Sequence, residues 1–133
     1  MSARKPLKGL VIQPNGNFEW FEISRDDELT RLQGFVGGWI EAVMSEDERL
    51  TFYVNEEGKL TGLPMNALAT MLWYKSKPAV VGLDVLCGPV VLVGGVDQHG
   101  NTKSLPIAAL RALGPLAEDF GIGTAIQIPI PPA

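Results

Sequence analysis

Residues 37–66 read GGWIEAVMSEDERLTFYVNEEGKLTGLPMN, and this stretch decides what kind of object the chain is. Trp39–Met44 and Leu50–Val54 alternate apolar and polar residues with the period of two that half-buried strands show. The loop Ser45–Arg49 between them is short enough for an antiparallel pairing. Asn55-Glu56-Glu57-Gly58 then turns the chain: asparagine suits an Asx-turn, and glycine tolerates a left-handed backbone. Gly62-Leu63-Pro64-Met65-Asn66 turns it again. Gly37, Gly38, Gly58, Gly62 and Pro64, with Gly88 further on, read as the residues that set the backbone. So many special-geometry positions in one stretch point to a fixed backbone carrying a polar patch.

Towards the N-terminus, the runs Leu7–Gln13 and Phe18–Ile23 flank Pro14-Asn15-Gly16-Asn17. Asn-Gly between two such runs predicts a β-hairpin with a type I′ turn. Ser24 precedes Asp26, Asp27 and Glu28, and Leu29, Leu32, Phe35 and Val36 come after them at helical spacing. Carboxylates in the first turn favour the positive end of a helix dipole, and Gly37-Gly38 stops the helix. Towards the C-terminus, Pro64 is expected to open a helix over Pro64–Trp73, with Met65, Leu68, Ala69 and Leu72 as its buried stripe. Strands are expected around Val80–Leu86 and Val90–Val93, then a polar turn over Asp97–Lys103. Ser104 would cap a last helix over 105–113, which Gly114-Pro115 separates from a segment over 116–120. In the tail, Ile126, Ile128 and Ile130 share one face, and Pro129 and Pro131 share one edge. That pattern fits an edge strand, or an arm exchanged between the subunits of a homodimer. The expected organisation is a flexible arm (1–6), a single domain (7–120) and an Ile/Pro-rich tail (121–133). The fold class is α+β, a mainly antiparallel sheet of five or six short strands with two or three packed helices.

Composition narrows the function. The 133 residues suffice for one domain with a real core. A net charge of −4, with the basic cluster Arg4, Lys5 and Lys8 confined to one end, argues against binding nucleic acid through phosphate neutralisation. The apolar tract 79–96 is interrupted by Asp84 and Pro89 and reads as buried strands, not as a membrane span. No apolar segment comes after the N-terminal basic residues, so no signal peptide is expected and the location reads as cytoplasmic. Cys87 is the only cysteine, and inside an apolar run it reads as a small buried hydrophobe. His99 sits in a polar turn without a second histidine or a nearby cysteine, so neither a metal nor a cofactor is expected. The phosphate-loop, nucleophile-elbow and zinc-protease signatures are absent from the sequence.

The order of several motifs resembles one family. Val36-Gly37-Gly38-Trp39-Ile40-Glu41, then Asn55-Glu56-Glu57-Gly58-Lys59-Leu60, then Gly62-Leu63-Pro64 with Asn66, then Asp84, Leu86, Gly88 and Gly94, is similar to DUF3846, a domain of unknown function. The resemblance covers roughly residues 20–105 and implies a small protein of bacteria, phages or mobile elements, acting in the host cytoplasm if phage-encoded. Trp39 stands where the family leads one to expect tyrosine, the segment between Asn66 and Asp84 is longer and more apolar, and the residues after Lys103 look like an extension.

The candidate ligand-binding residues are Trp39, Glu41, Asn55, Glu56, Lys59 and Asn66. Glu41 shares a strand face with Trp39 and Val43, so it is expected to be partly desolvated, or paired with Lys59 or Arg31. Lys59 would neutralise an anion, Asn66 would cap a helix or read a polar ligand edge, and Trp39, Tyr53, Trp73 and Tyr74 are candidates to stack a base. The leading expectation is a non-catalytic phage or mobile-element accessory protein that binds a small ligand, a nucleotide-like one included. The alternative is an inhibitor or adaptor of a host protein, acting through an edge strand or the tail. A third reading is a hydrolase with Glu41 or Asp84 as general base.

Overall fold

The computed structural model describes residues 4–106. Strands β1 (Leu7–Ile12), β2 (Phe18–Ile23), β3 (Ile40–Met44), β4 (Leu50–Asn55) and β5 (Val90–Gly94) form one sheet in the order β2-β1-β5-β4-β3. Every neighbouring pair is antiparallel. Two hairpins, β1–β2 and β3–β4, therefore flank a strand that arrives last in the chain. A strand apolar at every position needs cover on both faces. β5 has it: Val90, Val91, Leu92 and Val93 are all buried. Leu92 faces Leu10 on one side and Phe52 on the other. Each such side chain removed from water contributes about 1.5–3 kcal/mol, so β5 anchors the sheet.

One helix covers each face. α1 (Glu28–Val36) lays Leu32 and Val36 on Leu7, Val11, Phe21, Ile23, Val91 and Val93. α2 (Ala67–Ser76) lays Leu68, Ala69, Leu72 and Trp73 on Leu10, Ile12, Phe52, Val54, Val90 and Leu92. The architecture is α+β, a five-stranded antiparallel sheet between two helices. α1 ends as expected at Gly37, whose φ of 82° is left-handed and whose N–H donates to the Gln33 carbonyl at 2.9 Å.

The structure corrects several local expectations. The first hairpin turns around Pro14-Asn15, not Asn15-Gly16: the Gly16 N–H donates to the Gln13 carbonyl, and only Gly16 in that turn has positive φ. Proline suits the second position of a type I turn, and the glycine after it takes the left-handed place. Ser24 caps a short 3-10 turn, Arg25–Asp27, before α1 begins, and Leu29 faces solvent. β3 starts at Ile40, which leaves Trp39 outside the sheet. α2 starts at Ala67, not Pro64, because the Asn66 side chain caps it; Met65 is exposed and forms a bridge with Cys87. Val80–Leu86 is no strand. Its start belongs to a 3-10 turn (Pro78–Val80), Gly82 takes a φ of 76°, and the place between β1 and β4 admits one strand, which β5 fills. The Asp97–Lys103 turn is formed as expected, with the Asp97 carboxylate accepting from the N–H groups of His99 and Asn101. Ser104 accepts from the Lys8 N–H and so ties the chain to β1. Apart from Leu105 and Pro106, the segments expected over 105–113 and 116–120, and the tail 121–133, lie outside the described residues.

Candidate functional site

β4 ends at Asn55, whose side chain organises the turn after the strand. Its Oδ1 accepts from the Glu57 N–H at 2.8 Å, and its Nδ2 donates to the Val36 carbonyl at 3.2 Å. One amide thus shapes the Asx-turn and caps the last turn of α1. The loop then coils on itself: Gly58 N–H donates to Asn55 O, Thr61 Oγ1 to Glu57 O, and Leu63 N–H to Gly58 O.

Asn66 fixes the other end of that loop. It is fully buried, its Nδ2 donates to the carbonyls of Ile12 (2.8 Å) and Gly88 (2.9 Å), and its Oδ1 accepts from the Ala69 N–H (3.1 Å). Its backbone N–H donates to Leu86 O, while the Gly88 N–H donates to Pro64 O. Thr70 Oγ1 accepts from the Leu86 N–H at 3.0 Å. Residues 64–70 and 86–88 are therefore laced together beneath the surface.

Above this lacing lies a depression of ≈ 250 Å³. Glu41, Asn55, Glu56, Lys59 and Asp84 supply its polar wall, and Val43, Val54 and Leu86 are among its apolar residues. Lys59 Nζ meets Asp84 Oδ1 directly, joining the loop after β4 to the segment before β5. That ammonium holds the Asp84 carboxyl below the usual aspartate range; the Val85 N–H helps, and partial burial opposes them. The Tyr74 hydroxyl donates to the Asp84 carbonyl at 2.6 Å, fixing the segment further. With Lys59 matched by Asp84, the remaining charges among the lining residues are the carboxylates of Glu41 and Glu56.

Four of the six expected residues, Glu41, Asn55, Glu56 and Lys59, share this depression, and two do not. Asn66 is 0 % exposed with its amide engaged on both sides; it caps α2 as one of its two expected roles has it, and lies outside the lining of the depression. Trp39 is 70 % exposed and lines a neighbouring groove of ≈ 450 Å³, with Asn55 in the wall of both. Glu41 is exposed, not desolvated, since β3 is an edge strand among the described residues. Neither expected partner of Glu41 is occupied with it: Lys59 pairs with Asp84, and the Arg31 guanidinium lies over the Phe35 ring. Lys59 thus has the Asp84 carboxylate as its counter-charge. Of the other aromatics, Trp73 is buried, Tyr53 hydrogen-bonds Thr102 at 2.8 Å, and Tyr74 is held by Asp84. Cys87 is half-buried in the wall, where a small buried hydrophobe was expected. The Lys59–Asp84 pairing has no local signal, because two remote turns bring it about.

Among the described residues no cluster of three or more His, Cys, Asp or Glu is placed to hold a metal, and no helix is long and apolar enough to cross a membrane. No curated protein and no solved structure matches the chain. The family comparison does match, and it reaches further than the motifs suggest, taking in the first hairpin and residues beyond Lys103. The chain belongs to the DUF3846 family, a domain of unknown function, over residues 7–113.

Proposed function

We propose that this is a non-catalytic accessory protein that binds a small ligand in the depression between β3, the 55–63 loop and the 84–87 segment. The observation that carries the reading is the convergence of Glu41, Asn55 and Glu56 on one concave site closed by the Lys59–Asp84 pair. A small cavity with an apolar floor and few polar groups is the usual form of such a site. Its chemistry selects among ligands. Two carboxylates without a matching cation repel phosphate and attract hydrogen-bond donors. The ligand class is therefore a donor-rich molecule of nucleoside size or smaller, not a polyphosphate. Asp84 favours a non-catalytic role, because a carboxylate held ionised by an ammonium is a weak general base. The family resemblance supports a setting in phage or mobile-element biology.

The test is native mass spectrometry on protein purified gently from lysate, then titration of the retained molecule against wild type and Glu41→Gln. A retained donor-rich molecule whose affinity falls about tenfold in Glu41→Gln supports the reading, since a lost charge-assisted hydrogen bond is worth about 1.5–3 kcal/mol. A retained polyphosphate that binds both forms equally overturns it.

The alternative, an adaptor for a host protein, draws on a different observation. Leu60 and Leu83 are 88 % and 79 % exposed and adjoin Lys59 and Asp84 in the chain, and among the described residues β2 and β3 each pair on one side only. Exposed apolar residues beside a sheet edge suit protein docking. A partner captured by wild type and lost in Leu60→Ser/Leu83→Ser favours this reading over the first.

A further inference from the structure

We propose a second binding site: the groove at the C-terminal end of α1 takes a small organic cation, an alkylguanidinium or alkylammonium, stacked on the Trp39 indole. The inference is independent of the ligand assigned to the neighbouring depression.

The shape comes from glycine. Gly34, Gly37 and Gly38 line the groove, and a Cβ placed on Gly34 or Gly37 would meet nothing within 4 Å, so these residues face open space. Phe35, Val36, Leu63 and Pro89 make the apolar wall. Trp39 lines it while remaining largely exposed to solvent, and its backbone is held by the Glu56 N–H, which donates to the Trp39 carbonyl at 2.8 Å. The indole is thus a presented surface on a fixed mount. Among the described tryptophans it is unlike Trp20 and Trp73, whose indole nitrogens are buried.

The polarity is one-sided. The N–H groups of Gly37 and Gly38 both donate to Gln33 O, that of Leu63 to Gly58 O, and that of Glu57 to Asn55 Oδ1. The Asn55 amide donates to Val36 O and the Thr61 hydroxyl to Glu57 O. Each of these donors thus has a partner within the protein, and the Asn55 amide keeps one further hydrogen. The charge among the lining residues is the Glu57 carboxylate, and the last turn of α1, where the helix dipole is negative, lines the groove with it. Glu57 is the one ionisable group among the lining residues. An anion would meet repulsion from both, and a neutral apolar molecule would leave both unused. A cation gains from both, and from the face of an indole, the best aromatic partner for positive charge. The concave form and the absence of a flanking strand edge in its lining suit a small molecule and not an extended peptide.

The experiment is an amide-detected NMR titration of the whole chain with n-butylguanidinium chloride at constant ionic strength, with n-butanoate and n-butanol as matched probes. An isolated group of this size should bind with a Kd on the order of 1–10 mM. Saturable shifts are expected at the Gly37 and Gly38 amides and the Trp39 indole N–H, with butanoate inert. Trp39→Leu keeps an apolar wall and removes the quadrupole, and should weaken binding about threefold or more. Glu57→Gln should weaken it about threefold, and Glu41→Gln should leave it unchanged, which separates this site from its neighbour. All three altered side chains are exposed, so an amide spectrum unchanged elsewhere confirms the fold. The assignment is overturned by butanoate binding as well as butylguanidinium, by undiminished binding in Trp39→Leu, or by no saturable shift up to about 50 mM. A blocked Gly-Gly-Arg-Gly-Gly peptide binding more than about tenfold tighter than butylguanidinium also overturns it, in favour of docking to a protein.

Discussion

Asn55 and Asn66 close the two ends of one loop, and the loop treats them differently. Both lie at turns, and both use their side-chain oxygen to organise the next backbone N–H groups. Asn66 does so in the core, with its Nδ2 divided between the carbonyls of Ile12 and Gly88. Asn55 does so at the surface, with one donor on Val36 O and its flank open to both concave sites. The same residue type is a structural clamp in one place and part of a binding wall in the other. Burial decides which, because an amide shut away from water must be fully satisfied by the protein, while one at the rim can share itself with a solute.

Breaking the buried end should have the largest effect. Asn66→Ala removes the cap of α2 and leaves the Ile12 and Gly88 carbonyls without their donor. A destabilisation of about 3–5 kcal/mol is expected, from the cap and the unsatisfied groups together. Urea denaturation with an unchanged m-value checks it. A loss under about 1 kcal/mol would show that the lacing around 64–70 and 86–88 does not depend on this amide.

Two glycines sharpen the contrast. Gly88 and Gly62 have nearly the same φ, 79° and 74°. A Cβ on Gly88 would lie 2.7 Å from Leu63 Cδ1, whereas one on Gly62 would meet nothing within 4 Å. Gly62→Ala therefore costs the left-handed strain alone, about 1–2 kcal/mol. Gly88→Ala adds the displacement of Leu63 and should cost about 1 kcal/mol more. Equal thermal shifts for the two variants would mean that Leu63 moves freely.

At the surface end, Asn55→Ala should cost about 1–2 kcal/mol, since its partners become open to water when the amide is lost. Its local effect should exceed its global one. Hydrogen exchange at Glu57 and Gly58 is expected to accelerate while the β5 amides stay protected. Uniform acceleration across the sheet would place Asn55 with Asn66 as a core clamp.

How far the sequence shows this division depends on where each signal lives. The strands from Trp39 to Asn55 and the stop at Gly37-Gly38 are local patterns of period and turn chemistry, and the structure matches them to within a residue. The β1–β2 hairpin is legible in the same way, although Pro14 changes its turn type. Val80–Leu86 misleads because an apolar run reads alike whether it pairs or packs as a loop, and only the occupancy of the sheet decides. Four site residues are found together because Glu41 pairs opposite Val54 in the β3–β4 register, next to the turn that carries the other three. The cap expected of Asn66 is formed, but its burial and the place of Trp39 outside the depression depend on Ile12, Gly88 and the start of β3, none of which their own neighbourhoods encode.

The smallest effect should come from the rim pair, and its pH dependence separates it from the buried clamp. Asp84 is held below the usual aspartate range, first by Lys59 and then by the Val85 N–H. A group whose pKa falls on folding stabilises the folded state above its unfolded value, about 3.9, and loses that contribution as pH drops through the lowered folded value. Side chains 54 % and 46 % exposed make this an ordinary surface pair. A double-mutant cycle of Lys59→Met and Asp84→Asn should therefore give about 0.2–1 kcal/mol of coupling at pH 7, most of it gone near pH 2 or in 1 M salt. The Asn66→Ala deficit contains no titrating group and should persist through the same acid range. Coupling at the rim that survived both acid and salt would mean that Lys59 and Asp84 are joined by packing and not by charge, and the depression they close would then have a rigid wall instead of one that acid can loosen.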